Sequence, residues 1–271
     1  MSPTFREIQT NGVKLRAAME GEGPLIVMVH GFPESWYSWR HQMAPLAAAG
    51  FTACAIDVRG YGGSDKPHAV EAYDLESLSG DVAGVVDALS PNAPAILIGH
   101  DWGAPIVWAT ALLHPHKVRA VAGLSVPHAG HPPAPLTHFF KLMFTDQNKF
   151  FYMVYFQDEG VGEAAFEADV RGGLRKLYYG ASGESAVPWG GRDKQAGEPL
   201  LDAMIDPEPF PAWLSGADID YFAGEFTRSG FRGPHKRYRN FERDWAFLQK
   251  LTDHKIHQPA MCQFHTLGFS C

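Results

Sequence analysis

The run AILIGHDWGAPIVW at 95–108 sets one aspartate, Asp101, between two glycines, Gly99 and Gly103, with an apolar strand before it and an apolar helix after it. Small residues on either side allow the strained strand-to-helix turn that pushes the central side chain into a cleft. Pro105 suits the first turn of such a helix, where its missing N–H removes no helical bond. The helix N-terminus favours an ionised carboxylate, through its dipole and its free N–H groups. A carboxylate in this position attacks carbon by displacement and leaves an alkyl ester, whereas a serine would attack an acyl group. The implied substrate carries an sp³ carbon with a leaving group. Aspartate also caps helices, but a plain cap does not account for the paired glycines.

A second motif, His30-Gly31-Phe32-Pro33, follows the apolar run LIVMVH. The backbone N–H groups of Phe32 and Trp102 are expected to converge on an oxyanion. His30 is read as a brace for this loop and not as a base. His100, next to the nucleophile, is expected to point away from the cleft into a core hydrogen bond. In DVRGYGGSDKP (57–67), Asp57 is read as structural, with Arg59 and Asp65 fixing the loop beside the aspartate.

These residues need a parallel sheet to hold them. The runs at 25–30, 52–57, 95–100 and 118–126 are near-continuously apolar, as strands covered on both faces are, and shorter polar runs before Gly21 read as edge strands. Leu75, Leu78, Val82, Val85, Val86 and Leu89 fall at three- and four-residue spacing after Asp74, which predicts a capped helix with one buried stripe. A further helix is expected over 36–50. His30, Asp57 and His100 stand at strand ends, where open parallel sheets bind ligands. The expected domains are an α/β core over 1–128, a mainly helical insertion over 129–237 forming a lid across the strand ends, and a core continuation over 238–271.

Taken together, the aspartate turn, the HGFP loop and DVRGYGGSDKP resemble the α/β-hydrolase-fold epoxide hydrolases, near the soluble epoxide hydrolase group, over nearly the whole chain. The resemblance implies a mostly parallel sheet flanked by helices, with a helical lid. It implies Asp101 as nucleophile and two lid tyrosines that bind and protonate the epoxide oxygen. Tyr152 in FFYMVYFQ and Tyr238 in SGFRGPHKRYRN stand at the matching positions. An alkoxide is a poor leaving group, so ring opening calls for such donors. By residue type alone Tyr152 reads equally as an aromatic of the lid core, and its choice over Tyr155 rests on the motif. Phe32, Trp36, Trp102 and Phe150 are candidate walls of an apolar pocket for a small hydrophobic epoxide.

Family members place an acid and a histidine after the lid. KIHQPAM (255–261) reads as the start of the acid-bearing strand, while CQFHTLGFSC departs from the family pattern. Pro127 and His128 occupy the alternative acid position, and His265 is a poor candidate base. The expectation is ring opening by Asp101 and doubtful turnover, with a single self-alkylation as the limit, and a sheet left with bare apolar surface where the final strand and helices are missing. The competing readings are a haloalkane or haloacid dehalogenase, which uses the same Asp and has no need of two tyrosines, and a catalytically incomplete binder of apolar ligands. A serine-type esterase is disfavoured, since the turn carries no Ser.

Composition fits this reading. The chain has 271 residues, 45% of them hydrophobic, and a formal net charge of -7, which disfavours nucleic acid and anionic membranes as partners. There is no run long enough for a membrane span or signal peptide, so a soluble cytoplasmic protein is expected. Cys54, Cys262 and Cys271 suggest neither a disulfide framework nor a metal knuckle. No metal or organic cofactor is implied.

Overall fold

In a computed structural model of the chain, residues 3–186 and 194–263 are described; His265 and Cys271 lie outside them. The described residues divide into two compact units, 3–131 with 246–263, and 132–245. The helical stretch that the sequence ends at 237 runs on to Trp245, so Tyr238 belongs to the second unit.

The first unit is built on a sheet of seven strands, β1 (Thr4–Thr10), β2 (Val13–Glu20), β3 (Leu25–Val29), β4 (Thr52–Ile56), β5 (Ala95–His100), β6 (Val118–Leu124) and β7 (Ala260–Gln263), in the order β1-β2-β4-β3-β5-β6-β7. β2 pairs antiparallel with β1 and β4, and every other pairing is parallel. β3 is buried at every position, which explains its unbroken apolar sequence. β7 is exposed throughout. Strand order reverses between β3 and β5, where the chain winds first one way and then the other. Their loops therefore leave the same sheet end side by side, which is where such folds hold ligands.

The first-unit helices are α1 (Arg40–Ala48), α2 (Leu75–Leu89) and α3 (Gly103–Leu113). Asp74 caps α2 by accepting from Ser77 N at 2.8 Å, and Leu75, Leu78, Val82, Val85 and Val86 are buried, as their spacing predicts. Each such side chain contributes about 1.5–3 kcal/mol of apolar burial. The expected helix over 36–50 is instead a 3-10 turn, Trp36–Trp39, followed by α1. Ser35 Oγ accepts from Tyr37 N at 3.3 Å, and the tighter winding eclipses positions three apart, so that Trp36 and Trp39 are both buried.

The second unit holds α4 (Leu136–Met143), α5 (Tyr152–Tyr155), α6 (Val161–Glu167), α7 (Val170–Gly180), α8 (Gly216–Ser229), α9 (Arg232–Tyr238) and the start of α10 (Phe241–Gln249). Its core is aromatic: Phe231 stacks on Phe166 at 4.7 Å and on Phe226 at 4.6 Å. None of the described helices is long and apolar enough to cross a membrane.

Candidate active site

Asp101 stands between β5 and α3 with φ at 50°, a left-handed conformation that non-glycine residues seldom adopt. The turn holds it there by the bond from Ala104 N to Asp101 O at 3.0 Å and from Asp101 N to Leu124 O at 3.2 Å. Gly103 is required by close approach, since a Cβ there would collide with the Val29 carbonyl. A Cβ on Gly31 would collide with the Asp101 side chain itself. The two motifs of the sequence are thus in contact, across neighbouring strands paired Val29 to Gly99.

The contact is a hydrogen bond. Phe32 N donates to Asp101 Oδ1 at 2.8 Å, and the Trp102 backbone N–H also bonds the carboxylate. The donors expected to face an oxyanion therefore grip the aspartate, fixing its orientation and stabilising negative charge on the carboxylate. Burial raises the Asp101 pKa above the ordinary carboxylate range, against the opposing pull of His100 and these two N–H groups.

His100 is not a core residue: its side chain is 35% exposed and its Nδ1 lies 2.7 Å from Glu34 Oε1. The Glu34 charge raises its pKa to about 9, so that an imidazolium stands beside Asp101 at neutral pH. Glu34 is the residue next after HGFP, and its type was the available signal; its partner was not legible. His30 is a brace, as its position suggested. Its Nε2 accepts from Val58 N at 3.0 Å, its Nδ1 is 2.8 Å from Gly31 O, and its ring packs on Tyr61 at 4.8 Å. Burial lowers its pKa, which fits a neutral ring with the proton on Nδ1. Asp57 is fully buried and accepts from Arg16 Nε at 2.5 Å, Trp36 N at 3.0 Å and Gly63 N at 3.0 Å. Arg59 pairs with Asp81 at 2.5 Å, and Asp65 Oδ2 accepts from Lys14 N at 2.8 Å.

Of the pocket candidates, Phe32 and Trp36 are buried, at 7% and 5% exposure, and Trp102 is half-buried. Trp36 packs edge-on against Phe5 at 5.1 Å and Tyr37 at 5.5 Å. Phe150 belongs to the second unit, 5.6 Å from the Tyr155 ring and under the Lys194 ammonium at 4.8 Å.

The same unit brings Tyr152 and Tyr238 together. Their ring centroids are 6.1 Å apart at 80°, and each meets Phe156 edge-on, at 5.9 Å and 4.9 Å. Tyr155 instead turns to Phe150 and Phe156. Tyr238 is buried and Tyr152 half-buried. The sequence separates these two phenols by more than eighty positions, and the fold makes them neighbours.

Residues 24–177 match the family described as the alpha/beta hydrolase fold. Over 263 residues the chain is 40% identical to Epoxide hydrolase A of Mycobacterium tuberculosis, covering 96% of this chain and 81% of that protein. The chain belongs to the α/β-hydrolase-fold epoxide hydrolases. Among solved members of this family, epoxide hydrolase A from Mycobacterium thermoresistibile superposes with a TM-score of 0.89 at 39% identity, over 96% of this chain and 82% of that one. The epoxide hydrolase from an endophytic Streptomyces does so with a TM-score of 0.89 at 42% identity, over 96% and 78%.

Proposed function

We propose that the chain opens small hydrophobic epoxides by attack of Asp101 on a ring carbon, with Tyr152 and Tyr238 as proton donors. One observation carries this reading: the Asp101 carboxylate is held at a left-handed turn with one oxygen bound by Phe32 N, so that the other oxygen is the nucleophile. Its lone pair forms the ester C–O bond while the ring C–O bond breaks. The released electron pair stays on the epoxide oxygen, which takes a proton from one phenol and a hydrogen bond from the other. A phenol with pKa near 10 arrives protonated at neutral pH and regains its proton from solvent. The products of this step are an alkyl-enzyme ester and a β-hydroxyl group.

Cleavage of that ester by water gives a vicinal diol and needs a neutral base. His100, held protonated up to about 9 by Glu34, is none at neutral pH, so the ring-opening half of the reaction is the half these residues carry. The apolar side chains of Phe32 and Trp102 beside Asp101 favour an uncharged substrate. The role in the cell follows as removal of reactive epoxides by a cytoplasmic enzyme, with the second unit as its cap.

The test is peptide mass spectrometry after incubation with styrene oxide. The peptide containing Asp101 should gain the mass of one substrate molecule, or styrene diol should accumulate, and Asp101→Asn should abolish both. Well-folded protein with neither adduct nor diol would overturn the assignment.

A further inference from the structure

We infer that Gln157 and the Arg239–Glu163 ion pair are positioning residues that set where the Tyr152 and Tyr238 hydroxyls sit; the inference rests on the tyrosine roles proposed above. The helix bearing Tyr152, α5, is a single turn, Tyr152–Tyr155, too short to hold its own direction. Its terminal carbonyls need outside donors. The Gln157 amide nitrogen supplies one, donating to Met153 O at 2.7 Å, and its second hydrogen goes to Tyr238 O at 2.9 Å. One nitrogen thus joins the backbone next to the first phenol to the backbone of the second.

Arg239 makes the second tie. It follows Tyr238 directly, and its Nε donates to Phe156 O at 2.9 Å, at the end of α5. Its Nη2 donates to Asp158 O at 3.2 Å and to both Glu163 oxygens, at 2.9 Å and 3.1 Å. Glu163 anchors the fork from α6 and also accepts at 3.0 Å from Gly160 N, at the start of that helix. The side chains of both ion-pair partners are largely withdrawn from solvent, Arg239 at 8% exposure and Glu163 at 10%, which strengthens the bonds between them. The rings meet each other and Phe156 edge-on, and Tyr152 also lies 5.0 Å from the Phe151 ring; ring contacts of this kind fix distance but hold direction weakly. Gln157 and Arg239 add directional bonds between the two stretches of backbone that carry the phenols. Proton donation to a breaking bond has a narrow tolerance, and a displacement of about 1 Å costs on the order of 10²-fold.

The experiment compares two electrophiles on the full chain, following alkylation of Asp101 by rapid quench and peptide mass spectrometry. Styrene oxide needs a proton on its leaving oxygen; 2-bromoacetophenone releases bromide and needs none. Gln157→Ala, Arg239→Ala and Arg239→Lys should each lower the maximal rate with styrene oxide by about 10- to 10²-fold, with little change in the concentration giving half that rate. The rate with 2-bromoacetophenone should stay within about twofold, because nothing in that displacement depends on the phenols. Arg239→Lys retains the charge beside Glu163 and carries the test if the alanine variant does not fold. Equal losses with both electrophiles would show a merely structural role and overturn the inference, as would folded variants that lose nothing. Tyr152→Phe and Tyr238→Phe run alongside: if they leave the styrene oxide rate unchanged, the tyrosine roles fail and this inference falls with them.

Discussion

Two oppositely acting surroundings meet at the carboxyl of Asp101. Burial disfavours its charge, while the His100 imidazolium and the N–H groups of Phe32 and Trp102 favour it. In the proposed reaction only the ionised form attacks carbon, so the alkylation rate should rise with pH through the acid range. Removing the imidazolium in His100→Gln leaves Asp101 facing the Glu34 carboxylate without its counter-charge, and its pKa moves further up. The acid limb of the rate against pH should shift to higher pH in that variant, measured with styrene oxide by rapid quench; a limb that stays in place would show that His100 does not act on the nucleophile. The aspartate, its glycines and the HGFP loop were legible because close backbone approach admits few residue types. The Glu34–His100 pair was not, because a histidine at a strand end has no local mark that tells a core hydrogen bond from an ion pair.

Among the elements, those with unbroken or strictly periodic apolar patterns match their sequence reading. The strands at β3 to β6 and the helix α2 are of this kind. The Asp74 cap of α2 is a prediction of the sequence that the bond to Ser77 N realises, so Asp74→Ala should lower stability by about 1 kcal/mol, read as a shift of the urea midpoint at unchanged slope. The stretch after Ser35 departed from its reading because its first turn answers to side chains elsewhere. Trp36 N is taken by Asp57 Oδ1, a partner from the end of β4, and a local pattern carries no trace of such a bond. In the second unit α8 buries one stripe, Ile219, Phe222, Ala223 and Phe226, whereas α5, α6 and α9 run to only four or seven residues and are too short to show a period.

At the scale of the molecule, contacts between distant segments decide what sequence cannot show. Glu163 and Arg239 are separated by 76 positions, and nothing near either one names the other. Burial alone would raise the Glu163 carboxyl; hydrogen bonding and charge from His235, 3.4 Å away, and from Arg239 outweigh it and hold it at about 2. A carboxyl held lower in the folded state than in the unfolded chain stabilises fully above the unfolded value, and that stability is lost as pH falls toward the folded value. Stability should therefore decline from about pH 4.5 toward about pH 2. The decline should be shallower in Glu163→Gln, followed by circular dichroism on acid titration; equal slopes would show that Glu163 is not the group responsible.

The pairing of β3 with β5, Val29 beside Gly99, has a reach beyond the sheet. A slip of one residue would carry the strand ends past each other by about 3.3 Å and turn every side chain to the opposite face, more than the 2.8 Å bond between Phe32 N and Asp101 could span. The hydrogen-bond ladder thus works as a ruler for the turn, and a substitution in the middle of β3 would be felt first as a displaced Asp101 carboxylate.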